Sequence, residues 1–233
     1  MRCELQMTFT KAITAASCFI ACTAAHAATI DFTDDATKTS GTIAGISWTM
    51  TSNIGTLNNA QKFDGQDSLP GLLSTGLALE RDGYGVRSSI DTVKNDDELT
   101  TVRGGMEAIT LTFAKPVLFT GISFLDLYIA KGASIGEVGN ALLSDGTRVV
   151  VAATDLANVG NKTKRAGYAG LNIAGIITKS VKIYIGLTND KQGFADGALA
   201  SVSVAPIPVP AAGLLLLGGL GGLTALRRKR KSA

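Results

Sequence analysis

The chain has 233 residues, with 22 Lys and Arg against 19 Asp and Glu, for a net charge of +3. Its three cysteines (Cys3, Cys18, Cys22) and its one histidine (His26) all stand before Ala27. Once that leader is lost, the chain has no disulfide, no thiol chemistry, no His-dependent catalytic triad and no His-ligated zinc.

The leader reads as a signal peptide over residues 1–27. The stretch TFTKAITAASCFIACTAAHA ends on Ala25-His26-Ala27, small residues three and one before a cut. Cleavage is expected between Ala27 and Ala28. Glu4 dilutes the basic start, which points to Met7 as an alternative first residue. A lipoprotein cut before Cys22 is the weaker alternative, because Phe19 is unusual at the first position of such a site.

Residues 28–205 then form one exported domain, long enough for a real core. Five of the basic residues lie in the C-terminal tail and two before residue 28, whereas only one acidic residue, Glu4, lies outside the domain. The domain's net charge is therefore about −3. No basic stripe invites nucleic acid.

Period-2 segments rich in Val, Ile, Thr and Phe predict strands near residues 29–33, 42–51, 77–80, 108–113, 117–127, 148–153, 169–177, 181–187 and 199–204. Gly83, Gly104-Gly105, Lys115-Pro116, Asp145-Gly146, Asn189-Asp190 and Asp196-Gly197 are the expected turns. Residues 108–113 and 117–127 read as a hairpin through Ala114-Lys115-Pro116. Residues 53–71 read as a long loop, 136–140 as a turn, and 160–167 as a solvated basic loop. Many short strands without a long helix predict an all-β fold, an antiparallel β-sandwich of jelly-roll type.

Asn95, Asp96, Asp97 and Glu98 place four oxygen-bearing side chains in one loop, a composition suited to calcium, though without EF-hand spacing. A solvated acidic turn is the competing reading. Asp31, Asp34 and Asp35 could meet Asp190 and Asp196 if the first and last strands pair, giving a second place for a structural calcium. No other cofactor is expected. Trp48 shares a face with Ile46 and is expected in the core; Tyr84, Tyr128, Tyr168 and Tyr184 are the other polar-tipped rings able to stack on a sugar. Glu80, Glu98, Glu107 and Glu137 form no motif pairing two carboxylates for glycoside hydrolysis. Ser88-Ser89 has no base beside it.

The C-terminus, residues 206–233, reads PIPVPAAGLLLLGGLGGLTALRRKRKSA. Residues 209–226, with Leu214, Leu215, Leu216 and Leu217 at their centre, have the length and apolarity of a short membrane-spanning helix. Arg227, Arg228, Lys229, Arg230 and Lys231 (the basic tail, 227–231) hold that end in the cytoplasm, so the domain lies outside.

Prolines, a Leu/Gly span and an Arg-rich end in this order resemble the PEP-CTERM class of sorting signals, closest to its VPLPA-CTERM subtype. Pro208-Val209-Pro210-Ala211 stands where that motif's core would stand. The resemblance implies processing by an exosortase, after signal peptidase and the inner membrane, and display at the cell surface or release, often beside exopolysaccharide. Gly83-Tyr84-Gly85-Val86, residues 95–99, residues 107–113, Val117 and residues 122–127 are similar, strand for strand, to exported domains of that class. The expectation is a non-enzymatic structural or binding protein of the cell surface or matrix. A calcium-assisted module binding exopolysaccharide is the first alternative, and a polysaccharide hydrolase the second.

Overall fold

Ser201, Val202, Ser203 and Val204 show how the chain builds its sheets. The valines are buried and the serines face the other way, as the two-residue period of a strand demands. A computed structural model describes residues 26–65, 72–90, 97–156, 166–187 and 194–208. Its strands are β1 (Ala28–Asp31), β2 (Ser40–Ile43), β3 (Ile46–Ser52), β4 (Thr56–Asn58), β5 (Gly85–Arg87), β6 (Thr101–Val102), β7 (Gly105–Met106) and β8 (Ile109–Leu125). They continue as β9 (Tyr128–Ile129), β10 (Val138–Leu143), β11 (Arg148–Ala152), β12 (Asp155–Leu156), β13 (Ala169–Gly186), β14 (Phe194–Ala195) and β15 (Ala198–Pro206). One 3-10 turn spans Leu73–Thr75.

The main sheet runs β1-β15-β8-β13-β10-β11, with β3 also on β8 and β2 on β3. All of these pairs are antiparallel. The two long strands serve two layers. The C-terminal half of β8 lies between β15 and the first half of β13. Its N-terminal half lies between β3 and the second half of β13. Ile30, Phe119, Val202 and Val204 from one layer join Trp48, Met50, Phe113 and Ile183 from the other in a single core cluster. The result is an all-β sandwich. Phe32 packs edge-on against both Trp48 and Tyr84, with ring centroids 5.8 Å apart in each case. Trp48 is therefore a core residue, as its strand face predicts.

The hairpin expected at Ala114-Lys115-Pro116 is not there. β8 passes straight through as one strand, and residues 113–116 stand opposite Lys179 alone. Pro116 has no N–H for the ladder, and an extra-residue bulge is where a sheet tolerates that. The bulge bends the strand from one layer into the next instead of reversing it. The predicted strands 169–177 and 181–187 are likewise one strand, β13, whose own bulge sets residues 173–175 against Thr120. Gly175 takes φ +101° there, a conformation most residues avoid.

Other boundaries differ too. The predicted strand 42–51 is the hairpin β2–β3, turned at Ala44 and Gly45, both at positive φ. Residues 77–80 form no strand and run as a strap on the sheet. The expected loop at 53–71 contains β4, paired with β5. The expected turn at 136–140 opens β10, which pairs with β13 and, through the Asp145-Gly146 turn, with β11.

Among the described residues no helix is long and apolar enough to cross a membrane. The predicted span 209–226, the basic tail and nearly all of the leader lie outside those residues. Ala25–Pro208 form one compact unit.

Candidate functional site

The outer face of the β1-β15-β8-β13 layer carries two rungs of matched residues. Register pairs Thr29 with Ser203, Ser203 with Gly121, and Gly121 with Asn172. Two residues along, it pairs Asp31 with Ser201, Ser201 with Ser123, and Ser123 with Gly170. Thr29 Oγ1 lies 2.8 Å from Ser203 Oγ, and Ser123 Oγ lies 2.6 Å from Ser201 Oγ. The period that buries Val202 and Val204 thus lays a hydroxyl floor on the opposite side.

Two glycines keep this floor low. A Cβ at Gly121 would press on Asn172 Oδ1, and one at Gly170 on the Tyr168 hydroxyl, at 2.7 and 2.6 Å. Their absence lets Asn172 and Tyr168 lean over the floor. Burial raises the Tyr168 phenol pKa, opposed by its hydrogen bond with Ser123, so the ring is neutral and its polar tip is engaged.

The strap at residues 72–81 builds the facing wall. Asp31 Oδ1 accepts from Thr33 N and Thr33 Oγ1, while Asp31 Oδ2 accepts from Ala78 N at 2.7 Å. Thr33 Oγ1 accepts from Leu79 N, and Thr33 O from Glu80 N and Arg81 N. Beneath the strap, Leu72, Leu125, Ala166 and Ala200 form a second small apolar cluster, joined by Leu77, Leu79 and Tyr168. That burial holds the strap on the sheet.

The floor and walls enclose a groove of about 680 Å³, within the size range of small-ligand sites. Thr29, Ser74, Thr75, Thr120, Ser123, Tyr168, Asn172, Ser201 and Ser203 supply its polar lining; Leu77, Leu171 and Ile173 are among its apolar walls, and Ala27 stands at its rim. Among the described residues, none that lines the groove is charged. Hydroxyls and an amide both donate and accept, which suits a neutral ligand rich in hydroxyl groups. An aromatic ring and branched aliphatics beside them suit its apolar faces.

The sequence-predicted residues fall elsewhere. Asn95 and Asp96 lie outside the described residues. Asp97 is buried and accepts from Asn58 Nδ2 and Gln61 N, so it pins the loop after β4. Burial raises the Asp97 pKa, opposed by backbone hydrogen bonds from Gln61 and Ala60. Glu98 is half-buried beside it. Asp34 accepts from Ala36 N, and Asp35 forms an ion pair with Arg81 at 2.7 Å. The first and last strands do pair. Asp196, however, lies against Glu137, to which it gives a backbone N–H, and Asp190 lies outside the described residues. Among the described residues, no group of three or more His, Cys, Asp or Glu is placed to hold a metal.

The glutamates hold loops. Glu107 is buried and accepts from Ser88 Oγ and Thr100 N. Glu137 accepts from Tyr128 N and Asp196 N. Glu80 accepts from Asp35 N. None of them lines the groove. Of the polar-tipped rings, Tyr168 alone lines it; Trp48 and Tyr84 are core. Pro208 is exposed two residues beyond β15, and Ala27 leads into β1, whose first residue is Ala28. Val209, Pro210 and Ala211 lie outside the described residues.

Sequence reasoning missed Thr120, Ser123, Asn172, Ser201 and Ser203. The one signal for them was the Ser-Val-Ser-Val alternation, which any solvated strand face shares.

No family model matches the chain, and no curated protein matches it. Two solved structures are similar in part. One is CpGH89CBM32-5 from Clostridium perfringens, in complex with GalNAc-β-1,3-galactose: 13% identity, 67% of this chain and 94% of that one covered, TM-score 0.29. The other is the family 32 carbohydrate-binding module of C. perfringens NanJ, in complex with galactose: 11% identity, 67% and 93% covered, TM-score 0.31. At such scores neither ligand carries over to the groove.

Proposed function

We propose that this protein is an exported, non-enzymatic glycan-binding sandwich, jelly-roll in type. It holds a polysaccharide in the groove on its β1-β15-β8-β13 face. The observation that carries this reading is the groove itself: about 680 Å³, lined among the described residues by hydroxyls, one amide and one tyrosine, with no charged side chain. Sugar rings present hydroxyl edges and apolar faces, and such a lining complements both. Hydrolysis needs two carboxylates flanking the bond, and none of the described glutamates lines the groove.

The ends supply the address. Residues 1–27 are read as a signal peptide cut after Ala27. Residues 206–233 are read as a sorting signal that holds the domain at the outer side of the inner membrane, until an exosortase acts near Pro208–Ala211. A polymer of the cell's own surface is then within reach. The support is the order of prolines, apolar span and basic tail.

A glycan array probed with the full chain in detergent tests the binding. Retention on a defined set of polysaccharides is expected; retention on none contradicts it and leaves a purely structural role. Intact masses from membrane and medium fractions test the sorting. Processing that is unchanged by Pro208→Ala with Pro210→Ala contradicts it.

A further inference from the structure

Ala27 lines the groove, and so does Thr29 two residues on; both are exposed. Between them Ala28 is fixed in β1 opposite Val204. The nitrogen of Ala28 is bonded directly to the carbonyl carbon of Ala27, so it lies between two residues that line the groove. The expected signal-peptide cut falls on that bond. Water adds across it: the Ala27 carbonyl leaves with the leader as a carboxylate, and the Ala28 nitrogen, having gained its protons, becomes a free ammonium. Such an α-amino group titrates near 7.7–8.0 and is mostly charged at neutral pH.

We propose that the α-ammonium of Ala28 is the charged subsite of the groove, created by leader removal, and that it selects glycans bearing a carboxylate at that end. This rests on the readings that the leader is cut after Ala27 and that the groove binds glycan. The cut has two consequences. It removes Ala27, which lines the groove, and it adds one cation to a lining whose described residues are uncharged. The acid on the same face of β1 is Asp31, about 10 Å further along the strand at 3.3 Å per residue. Its two carboxylate oxygens already accept from Thr33 and Ala78. A uronate or a similar acidic sugar therefore meets an ammonium that the Asp31 carboxylate, held by its own donors, does not reach. A charge-assisted hydrogen bond is stronger than a neutral one. At a partly exposed rim, about a tenfold preference over the matched neutral sugar is expected.

The test compares three full-length forms in the same detergent. They are the processed chain beginning at Ala28, that chain acetylated at its α-amine, and the uncut chain with Ala25→Leu to block cleavage. The probe is an array of neutral tetrasaccharides, each beside its counterpart with one uronate. The processed form should prefer uronate members about tenfold, and acetylation or retention of the leader should abolish the preference. If all three forms bind the neutral and uronate members alike, the ammonium has no role and the proposal fails while glycan binding stands. If no form binds any member, the glycan reading itself fails, and this one with it.

Discussion

Ser123 Oγ and Ser201 Oγ lie 2.6 Å apart across β8 and β15, buried at the floor of the groove. Each is the outward residue of a strand whose neighbours fill the core. The pair joins the two strands and sets how far the floor lies below Tyr168, whose hydroxyl is itself bonded to Ser123. Ser201→Ala leaves Ser123 without its cross-strand partner. It should destabilise the fold by about 1 kcal/mol, read as a lower midpoint in urea, and should weaken glycan binding. An unchanged midpoint would mean that the pair contributes nothing to the sheet.

Thr120 sits in a bulge against β13 and in one of the two irregularities against β15, and its Oγ1 is buried without a hydrogen-bond partner. A buried hydroxyl that makes no bond costs free energy. Thr120→Val keeps the shape and removes that cost, so a gain of about 1 kcal/mol is expected. Calorimetry checks it; a fall in melting temperature would show that the hydroxyl is bonded in solution.

Gly139 of β10 lies beneath the Phe124 ring, and a Cβ there would run into the ring carbons. Gly139→Ala should cost about 1–3 kcal/mol through overpacking. A neutral outcome in chemical denaturation would place β10 in a different register from the one found, which pairs Gly139 with Ile185.

Glu137 carries the clearest pH dependence. Burial, and then the hydrogen bond it shares with Asp196, push its carboxyl up to about 9 from an ordinary 4.5. In the fold it is neutral at pH 7, whereas in the unfolded chain it is ionised. The folded state thus binds more protons, and its stability falls as pH rises from about 4.5 to about 9. Glu137→Gln should flatten most of that decline. A wild-type melting temperature that holds level from pH 5 to pH 9 would refute the assignment.

Asp82 acts in the same direction over a lower window. It is 3% exposed, its Oδ2 has no partner, and burial pushes its pKa to about 6 from 3.8. Its contribution is present at acid pH and fades as pH rises through 6. Asp82→Asn should therefore stabilise the protein at pH 8 by roughly 2 kcal/mol and change little at pH 4. A destabilised variant at pH 8 would show that the charge is compensated in solution.

Much of the sandwich was legible because burial imposes a two-residue period. The alternation at 29–33, 148–153 and 199–204 located β1, β11 and β15, and Trp48 fell on its predicted face. What failed was the reading of punctuation. Lys115-Pro116 looks like a turn in one dimension, because Pro cannot join a ladder. In the sheet the same proline sits in a bulge that bends β8. Gly136 and Gly139 also looked like turn residues, yet Gly139 is there to seat Phe124. The groove was not legible at all. Its floor residues come from four strands brought together only by register, and each alone is an ordinary serine, threonine or asparagine on an outward face. Of the carboxylates that drew attention in the sequence, Asp34, Asp97, Glu107 and Glu137 serve as caps and pins.

The most direct test of the groove is calorimetric titration of an array-identified oligosaccharide into wild-type protein and into Asn172→Ala and Tyr168→Ala. Both side chains stand over the floor, and Asn172 is exposed, so its loss should leave the melting temperature nearly unchanged. A glycan site here predicts at least about a fivefold weaker affinity for Asn172→Ala, one hydrogen bond's worth, and a larger loss for Tyr168→Ala. Wild-type affinity in both variants would place the ligand elsewhere and contradict the account.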